Sequence, residues 1–246
     1  MKHYAVIGSP VSHSRSPEIY LSLFERYGVD ADFTRIEIGL GDLPERWEEL
    51  CGLDGFAVTM PLKRAIIPYL ECLDESAEGC GAVNFVLNRN GRTTGYNTDG
   101  GGLTDAIEET GFPLAGSAVV LLGRGGAAYA AARELKRRDC SVSLLVRTPS
   151  EDAAYPEFVL PDVPGRADVF INATPLGMKG GPDFSDFDLL DRIGPRLVFD
   201  MVYVPGSKTS LIAAAEERGM KAIDGTRMLY RQALRSFRIM TGITVK

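Results

Sequence analysis

Two places in this 246-residue sequence could carry chemistry: a lysine where a helix should begin, and a glycine-rich turn between a strand and a helix. Lys63 follows Thr59-Met60-Pro61-Leu62 and falls in the first turn of the expected helix. A cation there opposes the helix dipole, so an anionic or proton-accepting partner explains it better than the helix does. Asn84 ends the segment Gly81-Ala82-Val83, and Asp99 lies in Asn97-Thr98-Asp99-Gly100, ahead of another helix. Aspartate is a common N-cap, so Asp99 reads either as a cap or as a reacting carboxylate. Gly8–Pro17 (GSPVSHSRSP) concentrates hydroxyls at a strand-to-helix junction, where a capped turn and a binding loop are both open.

The turn is Gly123-Arg124-Gly125-Gly126-Ala127-Ala128, which fits G-x-G-x-x-A. In that pattern the first glycine permits a tight turn and the second lets backbone approach a pyrophosphate. The small last position lets helix and strand pack closely. A helix N-terminus then offers free N–H groups to the phosphates. The next strand should end beside the adenine ribose, where an acidic residue favours NAD and a basic one NADP. It ends in Arg147-Thr148, which suits a 2′-phosphate, although Glu151 follows with the opposing charge. NADP is the expected cofactor, with NAD an open alternative.

Composition bounds the partners. A hydrophobic share of 45% beside 24% charged residues describes a chain able to bury a real core. The net charge of -6, with no basic block, argues against nucleic acid. Four cysteines without a CxxC pair and only two histidines, His3 and His13, give no metal-ligand spacing. Lys2-His3 leads straight into a strand-like segment rather than a signal-type apolar region, and no run approaches a membrane span of roughly 20 residues. A cytoplasmic protein without a metal is expected, acting on a small molecule.

The elements that must position these residues fall into two rhythms. The first runs from a strand at His3–Gly8 through a helix opened by Ser16-Pro17 and stopped by Gly28. A strand at Asp32–Ile38, a helix at Asp42–Cys51, a strand at Gly55–Thr59 and a helix from Pro61 follow. This βαβαβ order calls for a parallel sheet covered by helices. Val83–Leu87 and Arg92–Asn97 form a hairpin beside it, and a helix from Asp99 to before Gly111 leads out. The second rhythm has strands at Ala118–Leu122, Ser141–Val146, Asp168–Ile171 and Leu197–Asp200, with a helix at Ala127–Arg138. Pro149–Gly165 shows no periodicity, and a last helix spans Thr226–Thr241.

Taken together, the segments GSPVSHSRSP, VTMPLK, GAVN, NTDG, GRGGAA, INATPLGM, DMVYVP and GTRMLYRQA resemble the shikimate dehydrogenase family over almost the whole chain. The resemblance implies an α/β substrate domain over residues 1–98 and a Rossmann-type dinucleotide domain over 99–224, with a cleft between them. The helix at 225–246 returns to the first. It implies Lys63 and Asp99 as the catalytic pair. Ser14 and Ser16 match the serines that hold the substrate carboxylate. Thr59, Asn84 and Gln232 match residues around the ring, and Tyr203 a tyrosine beside the substrate. For the cofactor it implies Gly123, Arg124, Gly125, Gly126 and Ala127, then Arg147 and Thr148. Asn172, Ala173 and Thr174 match positions near the cofactor, with Met228 close to the nicotinamide. The activity implied is reversible NADPH-linked reduction of 3-dehydroshikimate to shikimate, by a monomer or homodimer.

Departures from the family's pattern concern the pocket and the cofactor. Ala57 replaces a usual asparagine, which removes a polar group beside the substrate strand, and Phe85 replaces a usual threonine, which predicts a tighter, more apolar substrate pocket. Arg124 replaces a common alanine, Val146 an asparagine, and Glu151 stands near where a second basic residue often falls. They keep open a paralogue acting on quinate or a modified shikimate, with NAD. A silent sensor of shikimate-type ligands is a further alternative, against which the Lys63–Asp99 pair speaks, since a sensor has no need of proton-transfer groups.

Overall fold

The computed structural model describes residues 1–159, 162, 163 and 165–245. The chain divides into two compact units, residues 1–102 with 230–246, and residues 103–229.

In the first unit the run YAVIG makes the centre of β1 (Lys2–Gly8), and Tyr4 through Ile7 are all at most 2% exposed. A strand so apolar on both faces belongs inside a sheet covered on two sides. It is followed by α1 (Ser16–Tyr27), β2 (Ala31–Glu37), α2 (Leu43–Cys51) and β3 (Gly55–Val58). Next come α3 (Leu62–Ala65), β4 (Cys72–Leu73), α4 (Glu75–Glu78), β5 (Phe85–Arg89) and β6 (Arg92–Tyr96). The sheet order is β2-β1-β3-β5-β6-β4. β1 runs parallel to β2 and β3, while β5 is antiparallel to both β3 and β6. The expected hairpin is therefore built into the sheet and makes it mixed rather than parallel. Asn90 and Gly91, with φ of 55° and 85°, supply the tight turn between its strands.

The two faces bury separate clusters. Tyr4 and Val6 face Tyr20, Phe24 and Phe33, while Ala5 and Ile7 face Leu43, Leu50, Phe56 and Leu62. Ala233, Phe237 and Met240 of α9 (Gly225–Thr241) complete the first cluster. The Phe237 ring lies 6.0 Å from Phe24 and 5.5 Å from Tyr27. The helix expected from Pro61 is a single turn, α3, followed by a 3-10 turn at Ile67–Tyr69; Pro68 lacks the N–H needed to continue it.

α5 (Asp99–Glu108) enters the second unit, which holds β7 (Ala118–Leu122), α6 (Gly126–Arg137), β8 (Ser141–Leu145), β9 (Glu157–Phe158) and β10 (Val169–Asn172). It continues with α7 (Asp188–Ile193), β11 (Leu197–Asp200), α8 (Ser210–Glu217) and β12 (Lys221–Ile223). All six strands are parallel, in the order β12-β11-β10-β7-β8-β9. That is the doubly wound dinucleotide order, whose direction reverses between β7 and β10. β9 lies in the stretch expected to be irregular. Among the described residues no helix is long and apolar enough to cross a membrane, and no acidic, Cys or His cluster suits a metal.

Candidate active site

In the first unit the carboxyl ends of β1, β3 and β6 and the amino end of β5 meet at one edge, because β1 and β3 are parallel and β5 reverses. Loops after parallel strands are where α/β proteins bind ligands. Lys63 reaches this edge from α3, whose position is fixed by a hydrogen bond from the Val83 N–H to the Lys63 carbonyl (2.7 Å). Its Nζ lies 2.5 Å from Oδ2 of Asp99. Asn84 Nδ2 donates to the other oxygen, Oδ1, at 2.8 Å. The Asp99 side chain is 8% exposed and that of Lys63 23%, so the pair is half-withdrawn from water, yet the ammonium remains reachable.

The capping question about Asp99 resolves against the cap. Asn97 Oδ1 accepts from the Asp99 N–H at 3.0 Å, so Asn97 serves the start of α5 and the Asp99 carboxylate is released for Lys63. Thr98, to which no role was assigned from sequence, joins the network. Its N–H donates to Asn84 Oδ1 (2.8 Å), and its hydroxyl contacts Gln232 Oε1 (3.3 Å) and Ser236 Oγ (3.1 Å). Asn84 Nδ2 also lies 3.3 Å from Gln232 Oε1. Gly102 allows this approach, for a Cβ there would stand 2.7 Å from the Gln232 backbone nitrogen. The triple glycine after Asp99 was the available signal for such close helix packing.

The loops after β1 and β3 are knitted together. Ser9 N–H donates to the Met60 carbonyl (3.0 Å) and Thr59 N–H to that of Ile7 (2.9 Å). A Cβ on Gly8 would fall 2.4 Å from Thr59 Cγ2 and 2.6 Å from the Met60 oxygen. Ser14 and Ser16 hydroxyls lie 3.2 Å apart, and the Ser14 carbonyl accepts two bonds from Arg35, at 3.0 and 2.6 Å. The Ser16 N–H donates to Ser14 Oγ (3.3 Å) and Pro17 has no N–H, so it is the two hydroxyls, rather than the start of α1, that suit a carboxylate. Phe85 corrects an expectation: it is fully buried among Tyr4, Tyr20 and Phe33, and Ala57 packs against the same cluster. The Phe85 ring therefore fills the core and does not narrow a pocket.

The second unit carries the glycine turn at the β7–β10 reversal. Gly123 has φ of 112°, and a Cβ there would meet Thr174 Cγ2 at 2.9 Å and the Ala173 oxygen at 3.3 Å. Gly125 starts α6 without a side-chain cap, and nothing lies within 4 Å of the place a Cβ would take. Open space before the uncapped N–H groups of Gly126 and Ala127 fits a pyrophosphate. Asn172 is fully buried. Its amide donates to Asp200 Oδ1 (2.9 Å) and the Leu176 carbonyl (3.1 Å) and accepts from Thr174 N–H (3.0 Å) and hydroxyl (2.6 Å). It therefore shapes the Asn-Ala-Thr loop and leaves Ala173 and Thr174 facing Gly123. Burial pushes the Asp200 carboxyl up, against the hydrogen bonds of Thr209, Val202 and Asn172. Arg147 and Thr148 stand exposed after β8, Tyr203 is half-buried after β11, and Met228 is buried in the unit's core. Sequence reasoning missed Glu157 of β9, whose Oε2 lies 3.4 Å from Arg124 Nη1 and accepts the Ser150 N–H at 2.7 Å.

Comparison with known proteins agrees with this geometry. Residues 6–86 match the model of the shikimate dehydrogenase substrate binding domain. The NADP(+) shikimate dehydrogenase of Pyrococcus abyssi is 39% identical over 252 residues, covering 99% of this chain and 93% of its own. The crystal structure of shikimate dehydrogenase 1 from Peptoclostridium difficile superposes with a TM-score of 0.89 at 28% identity, covering 100% of this chain and 94% of that one. Shikimate 5-dehydrogenase from Thermus thermophilus, solved with NADP(H) and shikimate, gives a TM-score of 0.87 at 32% identity, covering 100% and 95%. With near-complete coverage at this identity, the chain belongs to the shikimate dehydrogenase family.

Proposed function

We propose that this protein is an NADP-dependent shikimate dehydrogenase, interconverting 3-dehydroshikimate and shikimate. The observation that carries the reading is the Lys63–Asp99 pair, at 2.5 Å and held by Asn84, in a chain whose relatives carry that activity over their full length. We place it in the cytoplasm, as a monomer or a homodimer.

Reduction of the ketone needs a hydride on carbon and a proton on oxygen. The nicotinamide, when bound, supplies the hydride. Lys63 is the group that meets the developing alkoxide: its ammonium stabilises the charge and is the proton source at that oxygen. Asp99 is the carboxylate that holds the ammonium in place, and it accepts a hydrogen bond from a substrate hydroxyl. Ser14 and Ser16 take the substrate carboxylate, with Thr59, Asn84 and Gln232 around the ring and Tyr203 beside it. The backbone of Gly123, Arg124, Gly125, Gly126 and Ala127 would hold the cofactor's pyrophosphate. Arg147 and Thr148 would take its 2′-phosphate, Ala173 and Thr174 would flank it on the loop that Asn172 shapes, and Met228 would stand by the nicotinamide. In the oxidative direction Lys63 takes the proton back from the alcohol.

The test is an assay of purified protein with shikimate or quinate, each with NADP⁺ or NAD⁺, followed by absorbance of the reduced nicotinamide. Rapid turnover with shikimate and NADP⁺ is expected. Faster turnover of quinate, or none at all by folded protein, defeats the reading.

A further inference from the structure

Arg124 and Glu157 form an ion pair that spans three strands of the second unit. Arg124 follows Gly123 at the carboxyl end of β7, Glu157 sits on β9 opposite Leu144, and β8 lies between. The Glu157 side chain is 3% exposed while that of Arg124 is 38% exposed. Oε2 is anchored by the Ser150 N–H and faces Arg124, whereas Oε1 is buried with no hydrogen-bond partner among the described residues. A carboxylate buried with one oxygen unsatisfied is costly, and the fold keeps it where its charge is answered by a single guanidinium.

We propose that Glu157 is a positioning residue for cofactor selection. Its buried carboxylate draws the Arg124 guanidinium across to the end of β8, where Arg124 becomes a second cation, with Arg147, for the 2′-phosphate of NADP. The inference rests on the dinucleotide assignment of the glycine turn. It answers the charge problem there, since residue 151 is a glutamate and brings no cation. Two effects of Glu157 oppose each other: its charge repels a phosphate, and its hydrogen bond orients a cation toward one. The second wins because the carboxylate lies behind and buried, while the guanidinium stands toward solvent and keeps donors free for an incoming anion. Glu157 does not itself read a ribose hydroxyl, because its unpartnered oxygen is closed to a ligand.

The experiment compares the parent protein with Glu157→Gln, Arg124→Met and the double variant. One readout is calorimetric binding of adenosine 2′,5′-bisphosphate against adenosine 5′-monophosphate. The other is kcat/KM for NADP⁺ against NAD⁺ with shikimate. Arg124→Met should lower the preference for the 2′-phosphorylated partner about tenfold, and Glu157→Gln by at least about threefold. The double variant should be no worse than Arg124→Met, the mark of two residues acting as one unit. Glu157→Gln that raises the preference for NADP⁺, or weakens both nucleotides equally, overturns the proposal. Should that variant fail to fold, an Arg124→Met protein with unchanged preference overturns it too. Selective binding of the bisphosphate that depends on both residues supports the proposal even in a protein without shikimate turnover, which separates its failure from that of the activity.

Discussion

Asn84 donates to Oδ1 of Asp99 at 2.8 Å and thereby turns Oδ2 toward Lys63, so the reacting pair is oriented by an amide that stands just ahead of β5. Each partner is half-buried or more, which makes the loss of one charge different from the loss of both.

Asp99→Asn keeps the shape and removes the charge that holds the ammonium. Its kcat for shikimate oxidation should fall by about 10²–10⁴, and Lys63→Met should fall by at least as much. Binding of adenosine 2′,5′-bisphosphate to the second unit should be unchanged in both. Steady-state kinetics and calorimetry check this; a kcat within a factor of about three of the parent rules out the assigned roles.

Gly8 is the point where the loops after β1 and β3 touch, and a methyl group there would overlap Thr59 Cγ2 and the Met60 carbonyl. Because one obstacle is backbone, the strands must shift. Gly8→Ala should cost about 1–3 kcal/mol in denaturant unfolding and raise the KM for shikimate, with nucleotide binding retained. Unchanged stability together with unchanged KM means that the two loops are free to move apart.

Local patterns made much of this molecule legible. Ala118–Leu122 is a continuous apolar run and Leu197–Phe199 another closed by Asp200, and the strands stand where these segments predict them. Short elements such as β4, α4, β9 and β12 have too few residues to show a period, and their neighbours in the sheet decide them. The site divides the same way. Lys63 was betrayed by a cation in the wrong part of a helix, but whether Asp99 capped or reacted depended on Asn97 taking the cap, a matter of side-chain direction. Phe85 misled because a residue's type does not say which face of the sheet it occupies. Glu157 lay in a stretch without periodicity, and only pairing of β9 with β8 brings it near Arg124.

Asp200 offers a prediction that depends on pH. It closes β11 with Oδ1 accepting from Asn172 and the Val202 N–H, and Oδ2 from the Thr209 hydroxyl at 2.6 Å. Burial is the largest influence on its carboxyl and raises its pKa, so the folded protein holds this proton more tightly than the unfolded chain does. Stability from that proton is then full below the ordinary carboxylate range and is lost as pH rises through the raised folded value. Asp200→Asn keeps an acceptor for Val202 and Asn172 and cannot titrate. The melting temperature of the parent minus that of Asp200→Asn should therefore fall as pH rises across that window and stay level above it. Scanning both proteins from acid to neutral pH measures the difference directly, with the many exposed carboxylates common to both. A difference that grows with pH means that the three hydrogen bonds outweigh burial and that the carboxylate is stabilised in its ionised form.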